Sequence, residues 1–314
     1  MKVLVTGGFG LVGHSLQKIV KDTIHHEFVF LSSKNGDLRD INVVDSLFDL
    51  HKPDVVVHLA SCVGGVYANM SKNYDYLVDN LRINTNVVDA CDRFGVKRLI
   101  SCLSTCIFPD KNIIYPITSD QLHNGLPHDS NIGYAFSKRI MNLTGNLLSQ
   151  KGKVKVINLT PTNLYGEYDN YNIKSSHVIP GLIHKTYIAK NNDSTLKVYG
   201  TGRALRQFLY VDDLSRVIVK FIDLELNEME VSCIVSPPET SEISIRNVIE
   251  KITTQLDFKG IIDYDTFYSD GQYKKTATHT ELLTYLPDFT FTDLDTGLLE
   301  TITYFINNYD TVRK

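Results

Sequence analysis

The sequence predicts an α/β protein whose first half forms a doubly wound parallel sheet. Short, nearly continuous apolar runs rich in β-branched residues occur at Val3–Thr6, Phe28–Leu31, Val55–Leu59, Arg98–Cys102 and Val154–Leu159. Helix-like stretches near 11–22, 42–51, 76–94 and 131–150 separate these runs. Apolar runs of this kind are typical of parallel strands covered on both faces. Their alternation with helices predicts a sheet with helices on each side.

The pattern changes beyond residue 160, where polar and aromatic loops at 165–176 and 199–208 alternate with apolar helical pieces. Helices are predicted near 178–190, 211–224, 244–256 and 294–308. We therefore divide the chain into a sheet domain (1–161 plus 209–232) and a smaller α/β C-terminal substrate lobe (162–208 plus 233–314). A cleft between them is expected near the carboxyl ends of the sheet strands.

Composition narrows the function classes. The 314 residues are 43% apolar, which is typical of a folded globular protein, and the net charge is −4. This charge gives no sign of a general nucleic-acid surface. No apolar run approaches the ~18 residues of a membrane span, and no leader-like apolar stretch precedes Gly7, so we expect a cytoplasmic protein. Five cysteines without CxxC spacing predict neither a disulfide framework nor a metal site.

A glycine-rich turn follows the first predicted strand and opens the first predicted helix. It reads Gly7-Gly8-Phe9-Gly10-Leu11-Val12-Gly13. Glycines at 7, 10 and 13 permit a tight turn and close approach of the backbone to a pyrophosphate at the helix N-terminus. A glycine-rich turn without a ligand is the alternative. In a strand–turn–helix context, the spacing favours a Rossmann-type dinucleotide-binding domain.

The end of the second predicted strand bears on the choice between NAD and NADP. An acidic residue there accepts the ribose 2′-hydroxyl and repels a 2′-phosphate. This sequence has Ser32-Ser33-Lys34, and its first carboxylate is Asp37. Two hydroxyls and a cation favour NADP(H), with a solvated turn as the alternative. Asp37 and Leu38 are then candidates for contact with the adenine.

A tyrosine and a lysine four residues apart form the next candidate site. Tyr134 and Lys138 share one face of a predicted helix, and Ser104 follows the strand Arg98–Cys102. A neighbouring ammonium is expected to lower the pKa of the phenol, which would make Tyr134 a usable proton donor and acceptor. Ser104 can hydrogen-bond a substrate carbonyl. A surface helix pair is the alternative for such spacing, but the dinucleotide loop and the upstream serine favour catalysis.

With these motifs in place, the chain resembles the extended short-chain dehydrogenase/reductases that act on sugar nucleotides. Six further stretches resemble the GDP-L-fucose synthase family in particular, and together they span nearly the whole chain. They are Ser101–Pro109, His123–His128, Pro161–Gly166, His177–Leu182 and the pair Gly200–Phe208 and Ser269–Lys275.

The resemblance implies a bifunctional NADPH-dependent 3,5-epimerase/4-reductase that converts GDP-4-keto-6-deoxy-D-mannose to GDP-L-fucose. Hydrogens on C3 and C5 of the 4-keto sugar are acidic because each carbon adjoins the carbonyl. Cys106 and His177 match the family's proton-transfer pair, a thiolate and an imidazole being competent for this chemistry. Ser104 and Tyr134 would polarise the carbonyl, and Lys138 would also bind the nicotinamide ribose. Taken without the resemblance, Cys106 is more simply a buried apolar residue and His177 a surface residue.

The resemblance also implies binding residues. For the cofactor they are Gly7, Gly8, Phe9, Gly10, Leu11, Val12, Gly13, Ser33, Lys34, Asp37, Leu38, Leu59, Ala60, Leu103, Ser104, Tyr134, Lys138, Pro161, Thr162, Asn163, Leu164 and His177. For the GDP-sugar they are Lys185, Tyr199, Arg206 and Asp270. Tyr199 stands where the family often has tryptophan, and Lys185 where some members have arginine. Lys274 and Lys275 could add positive charge for the diphosphate, but we favour interpreting them as a solvated pair.

Alternatives stay open at this point. A simple 4-keto reductase would give GDP-D-rhamnose, and a non-catalytic nucleotide sensor would need only the glycine loop. A 4,6-dehydratase is disfavoured because Thr105 and Cys106, not a carboxylate, follow Ser104. The family usually pairs two long helices from each subunit, which here would be those near 76–94 and 131–150, so a homodimer is expected.

Overall fold

The computed structural model describes residues 1–314 except Thr23 and Ser269, and it leaves the side chains of Tyr67 and Ala68 undescribed. Ser269 begins the last motif of the sequence analysis and lies outside the described residues. The helices are α1 Leu11–Val20, α2 Ile41–His51, α3 Val66–Ser71, α4 Asn73–Arg93, α5 Ile132–Ser149, α6 Val178–Asn191, α7 Val211–Asp223, α8 Ile245–Gln255, α9 Thr280–Tyr285 and α10 Leu294–Asn307. The strands are β1 Lys2–Thr6, β2 Glu27–Phe30, β3 Val55–His58, β4 Arg98–Cys102, β5 Lys155–Pro161, β6 Asn163–Tyr165, β7 Leu196–Tyr199, β8 Leu205–Arg206, β9 Phe208–Tyr210, β10 Glu230–Val235, β11 Ile243–Ser244 and β12 Ile262–Asp265.

Six strands form one parallel sheet in the order β10-β5-β4-β3-β1-β2. The five strands expected from apolar runs are all present and lie within two residues of the predicted bounds. The predicted Rossmann-type fold class is confirmed. The elements that were not predicted include the short helices α3 and α9, the edge strand β10 and the short strands outside the main sheet. In β10, Glu230 and Ser232 interrupt the apolar run.

The chain order places a ligand site at one edge of this sheet. β1 lies between β2 and β3. The chain therefore adds β2 on one side of β1 and then crosses over to add β3 on the other side. In register, Thr6 pairs with His58, and Cys102 with Leu159, so these strands end at the same edge. Open α/β sheets bind ligands in the crevice at such a switch point.

The two faces of the sheet bury separate apolar layers. On β1, Val3 and Val5 pack with α1 and α7, whereas Leu4 packs on the other face with Phe48 of α2 and Val87 of α4. All five side chains are at most 1% exposed. Burying one such side chain stabilises the fold by about 1.5–3 kcal/mol, so the two layers hold the strand ends in fixed positions.

A third apolar cluster joins α6, α8 and α10 in the C-terminal part of the chain. Small two-stranded pairings, β7 with β12 and β6 with β9, border it. Two details bear on the predicted lobe bounds: β10 continues to Val235, and Leu282 of α9 packs into the core beside α7. The division into two lobes itself stays a prediction. Over the described residues, no helix combines the length and the apolarity needed to cross a bilayer.

Candidate active site

The glycine-rich turn is fixed by close backbone contacts. Gly7 has a φ of +68°, and a Cβ on it would lie 2.7 Å from the amide nitrogen of Ala60. A Cβ on Gly13 would lie 2.3 Å from the carbonyl carbon of Gly8. Any side chain at 7 or 13 would therefore displace backbone. The spacing of the glycines thus has the steric cause that the sequence suggested.

The first turn of α1 faces this loop with uncapped amides. Gly10 occupies the N-cap and offers no side-chain acceptor, so the N–H groups of Leu11 and Val12 are left for a ligand. Phe9 is 54% exposed at the rim. Gln17 holds the loop from behind, its Nε2 donating to the Gly8 carbonyl at 2.6 Å. These uncapped amides at a helix N-terminus fit a pyrophosphate.

The turn after β2, where the ribose 2′-position of the cofactor is expected, contains an arginine that the sequence analysis missed. Ser33 and Lys34 lie in the exposed turn after β2, as expected. Nε and Nη2 of Arg39 donate hydrogen bonds to the carboxylate of Asp37 at 2.7–3.0 Å. Its Nη1 lies 3.1 Å from the carboxylate of Asp79 on α4. These hydrogen bonds lower the pKa of Asp37. The signal in the sequence was an arginine two residues after Asp37, the first carboxylate that follows β2.

Tyr134 and Lys138 lie on the face of α5 that packs against the sheet edge. Nζ of Lys138 donates to the carbonyl of Cys102 at 2.8 Å, and Lys138 is 1% exposed. Burial raises the pKa of Tyr134 well above its usual value, the thiols of Cys106 and Cys102 raise it further, and the polar side chain of Ser61 opposes them. The expectation of a lowered pKa for Tyr134 was therefore wrong, because desolvation is the largest influence on this phenol. A phenol in this environment keeps its proton and is suited to donate it.

Ser104 and Cys106 are brought together by a short turn after β4. Ser104 caps the 3₁₀ turn Thr105–Ile107, and its Oγ accepts from the amide of Cys106 at 3.4 Å. Burial raises the pKa of the Cys106 thiol, while Ser104, Lys275 and Lys138 act to lower it. The nearby cations stabilise the thiolate that proton abstraction requires.

The interpretation of Lys274 and Lys275 as a solvated pair is wrong for Lys275. Lys275 is half-buried, and burial together with the positive charge of Arg206 lowers its pKa to about 8, against the opposing influence of Cys106 and Asp110. Lys274 instead lies 3.5 Å from Glu242. A lysine between Arg206 and Cys106 connects the predicted phosphate-binding residue to the catalytic cluster. Its role depends on tertiary contacts that spacing does not reveal.

His177 occupies the N-cap position of α6 and is exposed. Within the part of the chain that the structure describes, it makes no hydrogen bond to Ser104, Cys106 or Tyr134. Its loop is nonetheless anchored to the segment between β3 and α3, since the amide of Gly65 donates to the carbonyl of Ser175 at 3.0 Å.

A buried carboxyl lies behind His177. Asp169 is 4% exposed; its Oδ1 accepts from the amide of Asn170, and its Oδ2 has no partner among the described residues. Burial raises the pKa of Asp169 to about 6, against the opposing charges of His177 and Arg313.

The predicted substrate residues cluster in the C-terminal part. Nζ of Lys185 lies 3.8 Å from the ring centroid of Tyr199, and Tyr199 stacks on Tyr268 with centroids 4.1 Å apart. Asp270 accepts from the amide and hydroxyl of Thr201, so both its oxygens hold the loop after β7. Arg206 donates to the carbonyls of Leu205, Gln272 and Tyr273.

The remaining predicted cofactor residues lie at the carboxyl ends of the strands. Leu59 and Ala60 follow β3, Leu103 follows β4, Leu38 lies in the turn before α2, and Pro161 to Leu164 join β5 to β6. Thr162 is 5% exposed, and its Oγ1 has no hydrogen-bond partner among the described residues. Asn163 donates to the carbonyl of Gln207 at 2.8 Å. An unpaired hydroxyl at this edge fits a polar group such as a carboxamide.

Fold and site together define a dinucleotide-dependent enzyme class. The model of the NAD dependent epimerase/dehydratase family matches residues 3–230. The chain belongs to this family.

Individual relatives narrow the class. A GDP-L-fucose synthase of Dictyostelium discoideum is 44% identical over 99% of this chain and 97% of its own length. A probable GDP-L-fucose synthase of Drosophila melanogaster is 40% identical over 100% and 99%. A crystal structure of a GDP-L-fucose synthetase from Naegleria fowleri bound to NADP superposes with a TM-score of 0.93 at 42% identity, covering 100% of this chain and 95% of that one. The chain is thus a member of the GDP-L-fucose synthase family, and the predicted resemblance is confirmed.

Proposed function

We propose that this protein converts GDP-4-keto-6-deoxy-D-mannose to GDP-L-fucose, using NADPH, by epimerisation at C3 and C5 followed by reduction at C4. The names of its relatives and the NADP bound by the Naegleria neighbour support this proposal. The observation that carries it is the cluster of Ser104, Cys106, Tyr134 and Lys138 at the sheet edge beside the glycine loop.

The residues of this chain fit the cofactor. The uncapped amides of α1 would hold the pyrophosphate, and Ser33, Lys34 and Arg39 would bind the ribose 2′-phosphate. The hydroxyl of Thr162 is available to the carboxamide of the nicotinamide. When bound, NADPH supplies the hydride that reduces C4.

Proton transfer is assigned to the protein. The C4 carbonyl accepts hydrogen bonds from Ser104 and Tyr134, which stabilise the enolate formed when a proton leaves C3 or C5. Cys106 and His177 are the pair that removes that proton and returns one to the opposite face. Tyr134 then donates its proton to the C4 oxygen during reduction, and its raised pKa suits that role.

A homodimer is part of the proposal. On α5, Ile140, Leu143 and Leu147 are exposed at three- and four-residue spacing, and α5 packs along α4. Such a stripe fits a four-helix contact between two copies of the chain. Light scattering after gel filtration is expected to give twice the mass of one chain, and Leu143→Glu to give the mass of one. The cytoplasm remains the proposed location for this enzyme.

Product analysis tests the function. Incubation with NADPH and freshly prepared GDP-4-keto-6-deoxy-D-mannose is expected to give GDP-L-fucose by chromatography and NMR. Cys106→Ser and His177→Gln are expected to lower epimerisation and raise the share of GDP-D-rhamnose. Predominant GDP-D-rhamnose from the unaltered protein would leave a simple 4-reductase. Absence of NADPH oxidation would contradict the proposal.

A further inference from the structure

The two residues before His177 lie directly against the segment that follows β3. The amide of Gly65 donates to the carbonyl of Ser175 at 3.0 Å. Ser175 and Ser176 belong to a turn in which both of their amides donate to the carbonyl of Asn172, at 3.0 and 2.8 Å. Their carbonyls face Gly65 instead. His177 follows this contact at once, as the N-cap residue of α6.

The position of Gly65 requires a glycine for space rather than for backbone conformation. Its φ of −64° and ψ of 178° are extended values that any residue adopts. A Cβ at this position, however, would lie 2.4 Å from the carbonyl oxygen of Ser176 and 3.2 Å from that of Ser175. Ordinary contacts to a Cβ begin near 3.4 Å, so an added methyl group would push the two segments about 1 Å apart. Both obstacles are backbone atoms, which cannot rotate aside as a side chain can.

The segment that carries Gly65 is itself held by two buried asparagines. The amide and the carbonyl of Cys62 are both hydrogen-bonded to the side chain of Asn80, each at 2.8 Å. The carbonyl of Gly65 accepts from Nδ2 of Asn69 at 3.1 Å. Both asparagines are at most 6% exposed. Since buried side-chain amides with several backbone partners are costly to move, this segment is a firm support for the loop that carries His177.

The position of the His177 imidazole depends on this support. His177 is exposed, and no hydrogen bond holds its ring among the residues that the structure describes. The backbone on either side therefore sets where the ring lies, with α6 on one side and the turn packed on Gly65 on the other. Proton transfer requires the reacting groups to be close and aligned, and a misplacement of about 1 Å can cost about 100-fold in rate.

We propose that Gly65 is a positioning residue for His177. Because Gly65 has no side chain, the turn Ser175–Ser176 docks on the segment after β3, and this contact fixes where the imidazole enters the site. The inference rests on the proposed function, which gives His177 its role in epimerisation. The residues that act on the C4 carbonyl lie after β4 and on α5, so Gly65 serves proton transfer at C3 and C5 rather than reduction at C4.

Gly65→Ala adds one methyl group at this contact. The rate of epimerisation is expected to fall at least about tenfold, because the imidazole is displaced. The share of GDP-D-rhamnose in the product is expected to rise, because reduction continues. Solvent deuterium exchange at C3 and C5 should be lost in the same proportions as in His177→Gln. In the His177→Gln background, Gly65→Ala is expected to have no further effect on epimerisation.

Gly181→Ala is the matched control. Gly181 lies in the first turn of α6, and a Cβ on it would lie 2.4 Å from the hydroxyl oxygen of Ser176. That oxygen ends a side chain and can rotate aside, so the same methyl group leaves the backbone of the turn in place. The share of GDP-L-fucose should stay that of the unaltered enzyme. Equal effects of Gly65→Ala and Gly181→Ala on the product, or additive losses of Gly65→Ala and His177→Gln, would overturn the inference.

A structural readout needs no turnover. Crystal structures of the unaltered protein and of Gly65→Ala are expected to differ by a displacement of about 1 Å at Ser175 and Ser176, with Tyr134 unmoved. A turn that stays in place in Gly65→Ala overturns the inference even where GDP-L-fucose is formed. Failure of the unaltered enzyme to form that product overturns the proposed function, and the two structures still decide whether Gly65 sets the position of His177.

Asn69→Ala decides the question where Gly65→Ala does not fold. This change adds no atom at the contact and removes the side chain that holds the Gly65 carbonyl. The support for the His177 loop is then looser, and the share of GDP-D-rhamnose is expected to rise. Unchanged product shares in folded Asn69→Ala would overturn the inference.

Discussion

Lys138 passes the ring of Tyr134 and ends on the neighbouring strand. Its Nζ lies 5.8 Å from the ring centroid and donates to the carbonyl of Cys102 at 2.8 Å. The ammonium therefore ties α5 to the end of β4 and sets the depth at which the phenol enters the site. Removal of a buried cation that has a backbone partner and lies beside a catalytic residue is expected to reduce the activity more than it reduces the stability of the fold.

The first prediction concerns this lysine. Lys138→Met removes the cation from the site and its bond to Cys102, and we expect kcat for reduction to fall at least about 100-fold. Since methionine fills a similar volume and needs no partner, the free energy of unfolding should change by no more than about 1–2 kcal/mol. NADPH oxidation and urea unfolding measure the two effects. A variant with near-normal kcat would contradict the assigned role of Lys138.

The second prediction concerns the cation beside Cys106. Lys275→Met removes a positive charge that lowers the pKa of the Cys106 thiol, so less thiolate is present at neutral pH. Solvent deuterium exchange at C3 and C5 is expected to fall about tenfold at pH 7 and to recover at higher pH, as more thiolate forms.

Lys274→Met is the matched control for that variant. Its side chain faces Glu242 rather than Cys106, so exchange and its pH dependence should stay close to those of the unaltered enzyme. Equal effects of the two substitutions would show that Lys275 acts through general charge on the substrate phosphates and not through the thiol.

The third prediction concerns cofactor choice. Arg39→Ala leaves the Asp37 carboxylate without its guanidinium partner next to the expected 2′-phosphate. We expect the KM for NADPH to rise roughly threefold to fivefold, which is the size of effect expected when one exposed charge contact is lost. The KM for NADH should change little. Steady-state kinetics with both cofactors measure this ratio.

The double variant Arg39→Ala with Asp37→Asn provides the control. Removing the carboxylate as well should recover part of the affinity for NADPH, because the repulsion is gone. If the double variant binds NADPH no better than Arg39→Ala, Arg39 contacts the cofactor directly and its pairing with Asp37 is incidental.

Features that depend on local pattern could be predicted from the sequence. Buried strands such as Arg98–Cys102 have apolar runs that define their ends, and Gly7 and Gly13 occur where a Cβ would strike backbone. Features that depend on tertiary burial could not. The pKa of Tyr134 is set by desolvation, and Lys275 is half-buried between groups distant in the chain.

The same limit applies to the substrate loop. Asp270 matches a family position expected to contact the nucleotide, yet both its carboxylate oxygens accept from Thr201. Which partner a half-buried carboxylate binds depends on how two loops meet, and spacing along the chain does not determine that.

The last prediction concerns Asp169, whose ionised form is destabilised by burial. Its pKa is raised from 3.8 to about 6 in the folded protein. Between these values the unfolded chain releases this proton while the folded protein keeps it, so the contribution of Asp169 to stability falls as pH rises from 4 to 6 and stays low above 6. A shift of about two units corresponds to a cost of up to roughly 3 kcal/mol.

Asp169→Asn keeps the oxygen that accepts from the amide of Asn170 and removes the charge. Urea unfolding is therefore expected to show a gain of about 1–2 kcal/mol at pH 8 and little change at pH 4. Asp49→Asn, at an exposed position of α2, is the control and should show no such pH-dependent gain. Epimerisation should fall in Asp169→Asn, since the carboxylate faces the charge of His177. Equal stability of variant and unaltered protein at both pH values would mean that Asp169 ionises without cost, which would contradict this prediction.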